Sequence, residues 1–302
     1  MSSPTPLAER VNPTPAEPIA RARVALAFAV LCVSTGAIFA RLAEAAPLAI
    51  AAWRMTFATA LVLLALRRRW PEWRGLTRSD FALGAGAGLC LAVHFATWIS
   101  SLQHTTVASS TVLVNTSPLW VALLSPLVTR ERTDRRAWLG IGLSFSGAAI
   151  MAGSDFRLGG PALFGDALAL AGGVAAALYL LLGRRLRARL TLPTYCALTY
   201  GWATAALWLV AGLVGVQSVG FTTKTWAALA GMAVIAQIGG HTLYNWSLKH
   251  LRTSAVAVAL LGEPIGSSLL AWRLFGEVPP SGSLGGALLV LLGICAAASR
   301  RD

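Results

Sequence analysis

The sequence predicts an all-α integral membrane protein with ten transmembrane helices arranged as a 5+5 inverted-topology repeat. Three observations lead there. Only 12% of the 302 residues are charged and 56% are hydrophobic, with a mean hydropathy of +0.66, whereas a soluble domain carries about 25% charged residues. Apolar stretches long enough to cross a bilayer recur along the chain. One long segment also occurs twice, at a constant offset of 146 residues.

The spans fall near residues 23–42, 47–66, 81–101, 106–129, 137–153, 163–182, 194–216, 226–248, 254–274 and 281–298. Each suits a hydrocarbon core of ~30 Å at about 1.5 Å rise per residue. Residues 1–22 are polar and proline-rich, which predicts a disordered tail rather than a signal peptide.

Trp98 to Gly147 contains Ser101-Leu102-Gln103-His104, Pro118, Glu131, Gly140 and Gly147. Adding 146 gives Ser247-Leu248-Lys249-His250, Pro264, Glu277, Gly286 and Gly293. The same shift carries Pro47 onto Pro193 and Arg41 onto Arg187. Leucine matches carry little weight in so apolar a chain. Matches of His, Pro, Glu and Gly carry more, because each meets a particular backbone or charge need, and self-similarity at a fixed offset points to duplication. The repeats are placed at 23–155 and 156–302.

The net charge of +13 could suggest nucleic acid, but its distribution argues for topology instead. Of the 25 Lys and Arg, 20 lie in the tail, at the C-terminus or in alternate loops, such as Arg130, Arg132, Arg135 and Arg136 or Arg184, Arg185, Arg187 and Arg189. By the positive-inside rule both termini are cytoplasmic, and no nucleic-acid partner is expected. Five spans per repeat is an odd number, so the second copy enters the membrane the other way up. That arrangement is typical of secondary transporters, with substrate bound near the midplane between the halves.

Polar residues deep in the spans are the candidate site, since intramembrane ionisable groups usually face a cavity or a partner. Glu263 lies about ten residues into the ninth span, ~15 Å deep, where a charged carboxylate costs roughly 2.5–3.5 kcal/mol unless neutral, paired or wetted. It precedes Pro264 as its repeat mate Ser117 precedes Pro118. Each proline deprives the carbonyl four residues earlier of its donor and tends to kink the helix. The kinks can be paired gates or packing features, and Glu263 a proton carrier or an anchor. Arg54, about seven residues inside the second span, can pair with a carboxylate, contact a substrate carboxylate or snorkel; buried charges are usually paired, which favours the first.

The third span carries Cys90, His94, Trp98 and Ser101 on one helical face, the fourth Thr111 and Asn115, and the eighth Gln237, His241 and Asn245 with Tyr244 beside them. Such stripes can be interhelical glue. Three of them, two on repeat-related helices and with aromatics, favour a cavity wall. The small residues Gly140, Ser144 and Gly147 and Gly282, Gly286 and Gly293 suit close packing of the fifth and tenth spans, within the chain or between copies as a homo-oligomer. The four cysteines are isolated in apolar runs, no HExxH, metal-spaced cluster or phosphate-cradling glycine loop is present, and neither cofactor nor metal is expected.

At these residues the chain resembles the drug/metabolite transporter superfamily, EamA type. The resemblance rests on the duplicated unit, Trp53-Arg54, Leu261-Gly262-Glu263-Pro264 with Gly276-Glu277, and Thr116-Ser117-Pro118 with Arg130-Glu131. Within it the chain is most similar to the YddG-type bacterial aromatic amino-acid exporters, by length, His94, Trp98 and the aromatic-rich eighth span. The resemblance implies a multi-pass exporter of the bacterial inner membrane whose partners are the lipid bilayer and a small-molecule substrate, an aromatic amino acid. It also implies a central cavity that leaves spans five and ten peripheral. Export of other amino acids or of cationic drugs, or a membrane-embedded enzyme, are the alternatives.

Overall fold

A computed structural model describes residues 16–66, 70–152, 160–278 and 282–298. Most of the expected tail, the arginines at 67–69 and 300–301 and the expected junction between repeats near residue 155 lie outside the described residues. The described residues are helical, with no strand among them. Ten long helices follow in order: α1 (Ala16–Val33 and Gly36–Leu42), α2 (Pro47–Leu66), α3 (Arg78–Ser101), α4 (Val107–Val114 and Ser117–Val128), α5 (Arg135–Ala152), α6 (Gly160–Arg187), α7 (Leu192–Val214), α8 (Thr223–Ser247), α9 (Thr253–Leu260 and Glu263–Phe275) and α10 (Ser283–Ala298). Eight of them, all but α5 and α10, are long and apolar enough to cross a membrane; α10 contains a shorter apolar stretch, Gly285–Ala296. Helix α1 begins at Ala16, inside the stretch expected to be disordered, with Pro18 in its first turn, where a missing N–H costs nothing.

Packing follows small residues and shape. Helix α3 lies on α6 and α7, α1 on α8, α2 on α7, and α5 on α10. The last pair makes the closest approach. A Cβ on Gly147 would sit 2.4 Å from the Gly286 carbonyl, and one on Gly293 would sit 2.6 Å from the Gly140 carbonyl. Glycine at these positions lets the backbones touch, and the two contacts are reciprocal under the 146-residue shift. Between them Ser144 Oγ donates to the carbonyl of Val290, its own repeat mate, at 3.1 Å. The small faces of α5 and α10 are therefore covered within one chain. Phe28, Leu31, Leu127, Leu209, Leu213 and Leu269 project outward from different helices, an apolar surface suited to lipid.

The loops gather on two faces. On the basic face, Arg189 pairs with Asp80 at 3.1 Å, Thr191 N–H donates to Glu72 at 2.7 Å and Arg184 pairs with Glu131 at 2.8 Å. On the opposite face, Trp53 Nε1 donates to the Ser218 carbonyl at 2.7 Å. There Lys224 also donates to Glu44 at 2.8 Å, which holds that carboxyl below its ordinary range.

Candidate functional site

Three helices break at mid-length, and the breaks meet. In α4 the second half begins at Ser117 with Pro118 in its first turn, and in α9 it begins at Glu263 with Pro264 in its first turn. Proline cannot donate to the preceding turn, so the chain tightens there. Thr116 N–H bonds the Leu113 carbonyl at 3.1 Å, and Gly262 N–H bonds the Ala259 carbonyl at 3.0 Å. The break in α1 has no proline. It is made by hydroxyls, with Ser34 Oγ donating to the Val30 carbonyl at 2.8 Å and Thr35 Oγ1 to the Cys32 carbonyl at 2.7 Å, side-chain bonds that compete with the helical ladder.

A cavity of about 40 Å³ lies among the breaks, room for about three water molecules. Arg54, His94, Trp98, Asn115, His241, Tyr244 and Glu263 line it, with Val33, Val114, Ser117, Leu180 and Leu260 as its less polar wall. Asn115 Nδ2 donates to Glu263 Oε2 at 3.2 Å, joining the break in α4 to the break in α9. His94 Nδ1 lies 3.0 Å from the Gly172 carbonyl, which can only accept, so Nδ1 donates there. One turn on, Trp98 lies parallel to the His94 ring, 6.1 Å between centroids and 2° between planes. His241 Nδ1 and the Tyr244 hydroxyl share a hydrogen bond on the facing wall.

Arg54 is buried at 1% exposure, and among the described residues no carboxylate lies within ion-pair distance of it. Its expected carboxylate partner is replaced by an amide and a ring. Nε donates to Gln237 Oε1 at 2.8 Å, and the guanidinium lies 3.8 Å from the Phe95 ring centroid, a cation–π contact. Among the described residues, Arg54 Nη1, Trp98 Nε1 and Gln237 Nε2 are buried donors without a hydrogen-bond partner. Arg54 and Trp98 line the cavity and Gln237 stands behind it, and buried polar groups are nearly always bonded.

The other expected site residues do not face the cavity. Ser101 and Ser110 share a hydrogen bond of 2.7 Å, and Thr111 donates back to Val107 at 2.7 Å. Gln237 holds Arg54, and Asn245 Nδ2 donates to the hydroxyls of Tyr179 and Tyr200. The single face expected for α8 is split because Met232–Thr242 is π-helical, bonding to the fifth residue instead of the fourth and widening the turn. Pro118 and Pro264 shape the breaks from behind the wall. Sequence reasoning missed the Ser34-Thr35 break and the Tyr179–Asn245–Tyr200 cluster. Adjacent hydroxyls ahead of Gly36, and tyrosines inside apolar spans, were the available signals.

The sequence matches the EamA-like transporter family twice, over residues 21–153 and 163–298. The chain belongs to that family. This EamA-like transporter is 26% identical over 266 residues to an uncharacterized transporter of Archaeoglobus fulgidus, covering 84% of this chain and 88% of the relative. It is 24% identical over 273 residues to the uncharacterized transporter YyaM of Bacillus subtilis, covering 83% and 84%. A solved crystal structure shares the fold at a TM-score of 0.74 and 23% identity, covering 92% of the transporter and 96% of that chain. The match places the function in membrane transport, and neither relative's name carries a substrate.

Proposed function

We propose that this transporter exports aromatic amino acids across a bacterial plasma membrane by alternating access. In this reading it is a ten-span inverted repeat, 23–155 against 156–302, with both termini cytoplasmic. The second family match, the reciprocal glycine contacts of α5 with α10 and the gathering of basic loops on one face support that architecture.

One observation carries the substrate: the cavity lining combines one carboxylate, Glu263, with a guanidinium and an indole, Arg54 and Trp98, that each carry an unpartnered donor. That set suits a zwitterion. The ammonium group goes to Glu263 and Asn115, the carboxylate to Arg54 Nη1 and Trp98 Nε1, and the ring to the Trp98–His94 stack and Tyr244. A hydrogen bond to a charged group contributes about 1.5–3 kcal/mol, and an aromatic pair about 0.5–1.5 kcal/mol beyond its area. The cavity as it stands admits water but not an indole, so the half-helices must part to load it. At the breaks of α4 and α9 the helical ladder gives way to tighter three-residue bonds, and these are the places where the half-helices can bend. Uptake of a radiolabelled panel into proteoliposomes tests the reading. Tryptophan and phenylalanine should be carried faster than threonine, and faster than a cationic drug that lacks a carboxylate. Preference for the drug would assign Glu263 to cation transport instead.

A further inference from the structure

Two ion pairs lie on opposite faces of the helix bundle, at the ends of the broken helices. On the basic face Glu131, just past α4, accepts from Arg184 Nε at the end of α6 at 2.8 Å. Its other oxygen accepts from the N–H of Thr253, the first residue of α9, at 3.3 Å. Arg184 also donates through Nη1 to the Leu248 carbonyl, just past α8. On the opposite face Glu277, just past α9, pairs with Arg41 Nη1 at the end of α1 at 3.4 Å. Arg41 Nη2 donates to the Thr105 carbonyl, just ahead of α4, at 3.1 Å.

The two constellations correspond. Glu277 is Glu131 shifted by 146 residues, α6 is the repeat of α1, and Arg184 lies one turn before Arg187, the formal mate of Arg41. Each pair also joins the 23–155 unit to the 156–302 unit. The inner pair ties the second half of α4 to the first half of α9; the outer pair ties the second half of α9 to the segment that starts α4. Both helices are broken at the cavity, so each half can bend relative to the other there.

We infer that Glu131–Arg184 and Glu277–Arg41 are the latches of the two gates. Both are closed in this structure, which agrees with a cavity too small for an amino acid. Binding and release need one latch open at a time, so each pair is a positioning device for transport rather than a substrate contact. The inference rests on the alternating-access reading but not on the identity of the substrate.

The test uses full-length protein with Cys32, Cys90, Cys196 and Cys295 replaced and a single reporter, Ala176→Cys, which lines the cavity and belongs to neither latch. Labelling by a membrane-impermeant thiol reagent is timed in inside-out and right-side-out vesicles. Glu131→Gln should speed labelling from the basic face about two- to fivefold, the scale of a partly exposed ion pair, without speeding it from the other face. Glu277→Gln should do the reverse. Arg184→Gln should match Glu131→Gln, and the double variant should add little to either, as for two ends of one contact. Equal acceleration from both faces would mean a loosened fold, and no acceleration would mean idle pairs; either result overturns the latches. Absence of wild-type labelling from both faces would count against alternating access itself. Failure to carry aromatic amino acids, with the one-sided effects intact, would overturn only the substrate.

Discussion

Arg54→Gln separates substrate contact from structural support. Arg54 lines the cavity, bonds Gln237 through Nε and lies over Phe95, and among the described residues its Nη1 has no hydrogen-bond partner. If that nitrogen holds the substrate carboxylate, its removal forfeits a charge-assisted hydrogen bond of about 1.5–3 kcal/mol, roughly tenfold to a hundredfold in apparent affinity. Tryptamine has the indole and the ammonium group but no carboxylate, so it offers Arg54 nothing to bind. Competition of unlabelled tryptophan and tryptamine against a labelled substrate in proteoliposomes gives both affinities in one preparation. The variant should lose tryptophan affinity by that factor and keep tryptamine within about threefold, since only the first ligand loses a bond. Equal loss for both ligands would refute the contact and leave Arg54 as a brace between α2 and α8.

The remaining predictions concern the wall, the breaks and the frame. Trp98→Ala should weaken tryptophan and phenylalanine transport several-fold more than threonine transport, while Trp98→Phe should recover most of the difference; equal loss for all three substrates would make Trp98 structural. Pro264→Ala should preserve insertion but slow exchange, and Pro118→Ala should act on the opposite gate; normal exchange in both would reduce the breaks to packing features. Gly147→Ala drives a methyl into the Gly286 carbonyl, whereas Gly142→Ala on the same helix meets nothing within 4 Å. The first should therefore cost about 1–3 kcal/mol and lower Tm in detergent, while the second should not; equal Tm values would contradict the α5–α10 contact.

What could be read in advance follows from how local each cause is. Pro118 and Pro264 announce their breaks because a missing donor acts within one turn, and Glu263 announces itself by being charged in an apolar span. The glycines of α5 and α10 are legible as a packing face, although small residues alone fit a partner in this chain or in a second copy equally well. The break in α1 was not legible, because Ser34 and Thr35 can bond back to the helix without interrupting it. The π-helical stretch of α8 has no signature in the apolar pattern; it packs closely on α1, where a Cβ on Gly240 would lie 2.5 Å from Val33. Nor does the sequence say that Arg54 reaches an amide 183 residues away instead of a carboxylate. Such pairings are decided by helix placement, which periodicity does not record.

Counterflow tests the central claim most directly. Proteoliposomes loaded with unlabelled tryptophan are diluted into a trace of labelled tryptophan. A carrier whose site opens to each face in turn predicts a transient accumulation of label above equilibrium. Leaving tryptophan out of the loading buffer should abolish it, and so should an excess of external phenylalanine. Uptake no greater than in protein-free liposomes, for tryptophan and for every other amino acid tried, would contradict the account.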